Sequence, residues 1–118
     1  MTVSTSDFTI LYLREAEDSA PEFGFGDVQE ARFVSKDLGC EQTALSLQRV
    51  KPNERGAFGP KHATQEELYV VVAGSGKVKL GDPMRDLTTW DAVRVAAATP
   101  RAFEAGPDGL EFIAFGAP

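Results

Sequence analysis

Short runs of alternating apolar and polar residues, separated by turn-forming residues, fill most of the chain. Side chains on a strand point alternately to two faces, so this alternation predicts half-buried strands. The predicted strands lie at residues 8–13, 43–50, 68–72, 77–80, 85–89, 92–95 and 110–115, with short apolar segments at 31–34 and 101–104. No window shows the apolar period of a helix. The pattern therefore predicts an all-β barrel or sandwich.

Glycine and proline supply the turns between these strands. The sequences GSG at 74–76 and GPDG at 106–109 predict hairpin turns, and GDP at 81–83 predicts another turn. On this interpretation the strand at 68–72 ends at the GSG turn of residues 74–76. Each predicted strand is then short.

The segment 43–50 has the cleanest alternation in the chain. One face carries Leu45, Leu47 and Arg49, and the other carries Ala44, Ser46 and Gln48. Because strand neighbours point to opposite sides of a sheet, the two sets cannot share one environment.

The composition is sufficient for one domain with its own core. The chain has 118 residues, of which 42% are hydrophobic, and we expect a single domain over residues 1–118 with residues 1–7 frayed. The eight phenylalanines and Trp90 are expected to pack the barrel. The one cysteine, Cys40, is expected to be an inert thiol in a reducing compartment.

The charge balance argues against two classes of partner. Eighteen acidic and twelve basic residues give a formal charge of −6, whereas a nucleic-acid surface needs a basic footprint. The first residues lack the basic and apolar regions of a signal peptide, and no apolar run approaches the roughly 20 residues of a membrane helix. We therefore expect a cytoplasmic protein without a nucleic-acid or membrane partner.

Candidate chemistry is concentrated in residues 59–76, where polar groups precede the strand at 68–72. The segment contains His62, the only histidine, and the adjacent carboxylates Glu66 and Glu67. Strand alternation places Glu67 and Tyr69 on one face and Glu66 on the other. If Glu67 points into the barrel, Glu66 points out of it.

The order of these signals resembles the cupins, a superfamily of small jelly-roll barrels (double-stranded β-helices) marked by two short motifs. Residues 56–76 are similar to the first motif: His62 matches its second histidine, Glu67 its glutamate and Gly74 its closing glycine. Residues 90–105 are similar to the second motif. The resemblance covers roughly residues 43–115 and implies a cupin-type jelly-roll barrel.

The chain departs from the cupin motifs at two of the four metal-ligand positions. The first motif's first histidine falls on Pro60, and the second motif's histidine falls on Arg101. The glycines, proline and asparagine of the second motif fall on Trp90, Ala96, Ala98 and Ala105. One imidazole and one carboxylate are fewer than the three protein ligands that a zinc site normally uses.

The resemblance brings Arg101 and Glu67 to one point inside the barrel. We therefore expect a charge-assisted ion pair between them in place of a metal ion. The predicted ligand-binding residues are His62, Glu67, Tyr69, Arg101 and Phe103. In this prediction Arg101 binds the carboxylate or phosphate of an anionic small molecule, and His62 lies beside it.

These residues predict a small-molecule-binding cupin domain, a homodimer by resemblance, without a bound metal and without established catalysis. One alternative is a metal-independent enzyme of the isomerase or epimerase type, with His62 as base and Tyr69 as proton donor. A second alternative is a metal-dependent cupin enzyme that holds a divalent cation through His62 and Glu67, with Glu66 or Gln65 as a replacement ligand.

Overall fold

The computed structural model describes residues 2–56, 65–81 and 83–117. Their strands are β1 (Thr2–Ser4), β2 (Thr9–Leu11), β3 (Gln29–Phe33), β4 (Ala44–Val50), β5 (Glu67–Lys79), β6 (Met84–Thr88), β7 (Ala92–Val95) and β8 (Ala102–Gly116). A four-residue helix α1 (Ser35–Leu38) and 3₁₀ turns at Leu13–Glu15 and Ala20–Phe23 are the helical elements of this part of the chain. The all-β prediction is confirmed.

The strands β3 to β8 form one antiparallel sheet that curls around a core. The strand order is β3-β4-β8-β5-β6, and β7 pairs with the first half of β5. The core is formed by inward-facing side chains of β4 to β8, among them Val50, Val71, Val95, Leu110 and Phe112. None of the helices in residues 2–56, 65–81 and 83–117 is long and apolar enough to cross a membrane.

Two of the predicted hairpin turns are instead irregularities within long strands. β5 continues through residues 74–76, and β8 continues through residues 106–109. The pairing register between the two strands shifts between Val71 and Ala73 and again between Gly74 and Gly76. Such shifts mark β-bulges, which bend a strand without ending it. The prediction of hairpins at these glycines was wrong.

The bends allow each long strand to pair with different neighbours along its length. The first half of β5 pairs with β7 and its second half pairs with β6, while β8 lies on its other side throughout. Only residues 110–116 of β8 pair with β4. The inward side chains of β4, β5 and β8 are thus brought onto one curved surface.

The N-terminal segment covers one outer face of this sheet. Asp18 Oδ1 accepts hydrogen bonds from the N–H groups of Ala20, at 3.0 Å, and Ala31, at 2.8 Å. Ala20, Ala31 and Val34 are completely buried beneath this layer. Thr2–Ser4, expected to be frayed, pairs with β2 as strand β1.

The aromatic residues were expected to fill the barrel, and this expectation was largely wrong. Phe103 and Phe112 are buried in the core, whereas Phe8, Phe23, Phe33, Trp90 and Phe115 are exposed. Trp90 is 74% exposed and has a φ of 75° in the turn between β6 and β7. Because this residue lies in a turn rather than on an inward-facing strand position, its hydrophobic character alone does not bury it.

Candidate functional site

The candidate site lies at one end of the barrel, where β5 begins and the connection from β7 reaches β8. Glu67 is the first residue of β5, Tyr69 is the next inward residue, and Arg101 immediately precedes β8. The period of two along β5 places Glu67 and Tyr69 on the same face, as predicted. Glu66 points outward, also as predicted, and its carboxylate pairs with Arg94 at 3.1 Å.

Arg101 and Glu67 form the expected ion pair. Arg101 Nη1 donates to Glu67 Oε1 at 2.7 Å. The side chain of Arg101 is 1% exposed, whereas that of Glu67 is 35% exposed. The cation is therefore inside the protein, and its carboxylate partner reaches the solvent-accessible side of the site.

Tyr69 joins the ion pair through its hydroxyl group. Its O–H donates to Glu67 Oε1 at 2.8 Å and accepts from Arg101 Nη1 at 3.3 Å. Burial, followed by the hydrogen bond to Glu67, raises the pKa of Tyr69 to about 12 despite the opposing effect of Arg101. The phenol thus keeps its proton at neutral pH and donates it to the carboxylate.

The remaining donors of Arg101 hold the connection between β7 and β8. Nε donates to the carbonyl oxygen of Thr99 at 3.2 Å, and Nη2 donates to those of Ala96 at 3.1 Å and Thr99 at 2.9 Å. A guanidinium has five N–H groups, and these contacts together with those of Nη1 to Glu67 and Tyr69 use all of them. Arg101 therefore orders the loop and Glu67 together.

An open cavity of about 310 Å³ lies against the exposed side of Glu67. Its described lining consists of Phe33, Ser35, Ala44, Leu45, Ser46, Gln48, Glu67, Tyr69, Phe103, Phe112, Ala114 and Gly116. Three predicted site residues, Glu67, Tyr69 and Phe103, are in this lining. Arg101 is not, because Glu67 and Tyr69 lie between its guanidinium and the cavity.

Small residues in the middle of the sheet create this cavity. In the pairing register, Ala114 of β8 lies between Ser46 and Tyr69, and Gly116 lies between Ala44 and Glu67. One row further into the barrel, Phe112 fills the corresponding position. The interior is therefore closed at the Phe112 row and open at the rows of Ala114 and Gly116.

The cavity has an aromatic wall and a polar wall. Phe103 and Phe112 stack with ring centroids 4.6 Å apart, and the ring of Tyr69 lies 4.9 Å from that of Phe103. On β4, Gln48 donates to Ser46 Oγ at 3.1 Å. The alternation in the sequence had separated Ser46 and Gln48 from the leucines of β4, but it did not reveal that the polar face is the inner one.

The described donor set does not fit a metal ion. Glu67 Oε1 already accepts from a guanidinium and a phenol, and a cation at that oxygen would be repelled by Arg101. Among residues 2–56, 65–81 and 83–117, no group of three or more His, Cys, Asp or Glu side chains could hold a metal. His62 and Pro60 lie outside the described residues, so the roles predicted for His62 are not tested.

Solved structures with similar folds were found across most of the chain. They include the polyketide cyclase RemF from Streptomyces resistomycificus, with a TM-score of 0.75, 16% identity and coverage of 92% of this chain and 78% of that chain. A cupin protein from Bacteroides fragilis has a TM-score of 0.74, 16% identity and coverage of 96% and 86%, respectively. A sugar phosphate isomerase of the cupin superfamily from Silicibacter pomeroyi has a TM-score of 0.69, 17% identity and coverage of 78% and 60%.

The comparisons support a fold and do not identify an activity. No family model and no curated protein sequence matches the chain. At identities of 16–17%, the similar structures establish the fold alone. Because one fold carries many reactions, the activity must be argued from the site itself.

Proposed function

We propose that this chain, which has the cupin fold, binds a small molecule in its barrel and has a buried ion pair, Glu67–Arg101, at two positions that match metal-ligand positions of the cupin motifs. The observation that carries the proposal is the cavity of about 310 Å³ against the Glu67–Tyr69–Arg101 network. Concave sites lined mainly by apolar side chains with a few oriented polar groups are typical of small-molecule binding.

The ion pair supplies what a binding site needs, a polar group held in a defined position. Arg101 and Tyr69 both donate to Oε1 of Glu67, which fixes the carboxylate at the cavity wall. Buried ion pairs often contribute little net stability compared with apolar packing. A role in presenting Glu67 to a ligand therefore explains this network better than stability does.

The binding proposal is tested with a cavity-filling variant. Ligand-observed NMR with a fragment mixture of mixed charge would be recorded for the wild type and for Ala114→Leu. We expect the binding fragments to lose their contacts in Ala114→Leu and to keep them in Phe115→Leu, since Phe115 is on the outer face of the same strand. Ala44→Leu fills the same cavity from β4 if Ala114→Leu does not fold. Equal binding by filled and unfilled proteins would refute the proposal.

The proposed absence of a bound metal has its own measurement. Metal content would be determined by inductively coupled plasma mass spectrometry on protein purified without a histidine tag and without chelators. We expect sub-stoichiometric first-row metals. One equivalent of a single metal, lost in both His62→Ala and Glu67→Gln, would favour the metal-dependent enzyme instead.

The metal-independent isomerase or epimerase remains a second candidate, because the Tyr69 hydroxyl and the Glu67 carboxylate are hydrogen-bonded on the cavity wall. In that reaction His62 would remove a proton next to a carbonyl group and Tyr69 would return one. The test is deuterium incorporation into aldose and ketose substrates in heavy water. Incorporation by the wild type that is lost in His62→Ala and Tyr69→Phe would support catalysis, and its absence in the wild type would favour binding alone.

The homodimer expected from the resemblance remains a proposal. Leu68 and Phe115 pair across the outer faces of β5 and β8 and are each more than 40% exposed. They lie beside the opposite charges Glu66 and Arg94, which a second copy of the chain could match in the reverse order. Light scattering after size exclusion should give twice the mass of one chain, and Phe115→Ser should reduce it to that of one chain.

A further inference from the structure

The charges around the cavity indicate which ligand it takes. Glu67 is the only charged side chain in the described lining, and it is an acid. Building on the proposed function, we infer that the ligand is an uncharged ring compound with hydroxyl donors along one edge, such as a sugar or a hydroxylated aromatic ring. The anionic ligand expected from the sequence fits this lining less well.

Arg101 does not offer an anion site in the described geometry. Its N–H groups are directed to Glu67, Tyr69 and the carbonyl oxygens of residues 96, 97 and 99. A ligand carboxylate could reach the guanidinium only by displacing Glu67, which is bound at 2.7 Å. Arg101 is therefore a positioning residue for Glu67 and not a direct contact of the ligand.

The carboxylate oxygen Oε2 of Glu67 favours a ligand that carries a hydrogen-bond donor. Arg101 and Tyr69 both donate to Oε1, and among residues 2–56, 65–81 and 83–117 no donor contacts Oε2, which can therefore accept a hydrogen bond from a ligand in the cavity. A hydroxyl group matches this acceptor, whereas a carboxylate or phosphate of the ligand would meet a like charge. Hydrogen bonds to a charged acceptor are stronger than those between neutral groups.

The polar wall opposite Glu67 provides further partners for hydroxyl groups. Ser46 Oγ accepts from Gln48, which leaves the hydroxyl hydrogen of Ser46 able to donate. Gln48 Oε1 accepts from Gln29 at 3.4 Å, and the amide is thereby held against the barrel interior. A ligand with hydroxyl groups can both donate to Glu67 and accept from Ser46.

The aromatic wall and the cavity volume restrict the ligand to a flat or ring-shaped body. Phe103, Phe112 and Tyr69 present ring surfaces beside Ala114 and Gly116, which leave room for a ring but not for a long chain. The volume of about 310 Å³ is at the lower end of the roughly 300–1,000 Å³ of ligand pockets. A single substituted ring matches this space.

The experiment compares neutral rings with their acidic counterparts. Catechol would be paired with 3,4-dihydroxybenzoate, and glucose with glucuronate, so that each pair differs by one carboxylate. Dissociation constants would be measured from backbone amide shifts of Ser46, Tyr69 and Ala114 in the wild-type protein. We expect at least one neutral compound to saturate these shifts and its acidic partner to bind at least about tenfold more weakly, because of repulsion from Glu67.

Variants at adjacent glutamates separate the charge of Glu67 from the net charge of the protein. In Glu67→Gln, the preference for the neutral member of the pair should shrink towards equal binding. In Glu66→Gln, which removes the same charge from the outer face, the preference should be unchanged. If Glu67→Gln does not fold, the comparison of neutral and acidic compounds in the wild type still tests the inference.

Every result of the four titrations either supports or overturns the inference. Binding by catechol alone identifies an aromatic source, binding by glucose alone identifies a sugar source, and either supports the inference. Tighter binding of the acidic partners overturns the inference while leaving small-molecule binding intact. No saturable shift with any of the four compounds also overturns it, and the fragment screen with Ala114→Leu then decides separately whether the cavity binds other molecules.

Discussion

Arg101 and Glu67 form an ion pair whose two members differ in burial: the cation is 1% exposed and the carboxylate 35% exposed, with 2.7 Å between Nη1 and Oε1. Glu66, which immediately precedes β5, forms a second pair at 3.1 Å with Arg94 of the neighbouring strand β7, and both side chains are more than 60% exposed. The two pairs have the same charges on opposite faces of one strand. Variants of the two pairs therefore separate the effect of burial on the free energy of unfolding from the effect of ion pairing.

Loss of the buried cation should destabilise the protein far more than loss of the exposed one. We expect Arg101→Met to lower the free energy of unfolding by about 3–5 kcal/mol, because Glu67, Tyr69 and the loop carbonyls lose their donors. Arg94→Met should lower it by at most about 1 kcal/mol. Both variants would be measured by urea unfolding. Equal losses of unfolding free energy would show that the Arg101 network stabilises the fold no more than the exposed pair does.

Tyr69 should make stability depend on pH in the alkaline range. An unfolded tyrosine has a pKa of about 10, and burial raises the pKa of Tyr69 to about 12 in the folded protein. The stabilising contribution is complete below about pH 10 and is lost as the pH rises to about 12, since the unfolded state releases its proton first. Unfolding free energies of the wild type minus those of Tyr69→Phe should fall over this interval.

A direct titration provides the control for this pH dependence. In Tyr12→Phe, Tyr69 is the one remaining tyrosine, and its phenolate absorbance should develop with a midpoint near the pKa of about 12. A midpoint near the ordinary pKa of about 10 would contradict the burial and hydrogen bonding described for Tyr69.

The close approach of β5 and β8 at Gly74 should tolerate no side chain. Gly74 has a φ of 75°, and a Cβ at this position would overlap the carbonyl oxygen of Gly109. Gly81 has a φ of 86°, and no atom of the described residues lies within 4 Å of its Cβ position. Gly81→Ala should therefore cost about 1–2 kcal/mol through its backbone conformation alone.

Gly74→Ala carries the same conformational cost and a steric one. We expect it to lower the free energy of unfolding by about 1–3 kcal/mol more than Gly81→Ala does, because the strands must move apart. Thermal or urea unfolding of the two variants measures the difference. If Gly74→Ala cost no more than Gly81→Ala, the bulge would not be a tight contact.

Arg14 should anchor the N-terminal layer to the sheet. Its guanidinium binds both oxygens of Glu111, at 2.9 and 2.6 Å, and the Glu111 side chain is only 5% exposed. Arg14→Met should lower the free energy of unfolding by more than Arg55→Met does, because the buried carboxylate of Glu111 loses its partner. Arg55→Met removes a 3.9 Å exposed pair with Glu104 and should change it by less than about 0.5 kcal/mol. Similar losses in both would argue against the anchor.

The sequence was most informative where a short-range rule applied. The period of two along a strand separated Glu67 from Glu66 and grouped Glu67 with Tyr69, as the structure has them. The cupin resemblance then brought Arg101 to Glu67, although the two are 34 positions apart in the chain. Neither observation located the cavity, because the small residues Ala114 and Gly116 have no meaning until their neighbours across the sheet are known.

The sequence by itself determined that the chain forms strands and that Glu67 and Tyr69 share one face of a strand, and the cupin resemblance predicted that Arg101 meets Glu67 inside the barrel. Only the tertiary structure decided that the glycines at 74–76 and 106–109 bend two long strands, since a positive φ serves a bulge as well as a hairpin. It also decided that the polar face of β4, with Ser46 and Gln48, is the inner one. Alternation divides a strand into two faces, and the packing of distant strands selects the face that is enclosed.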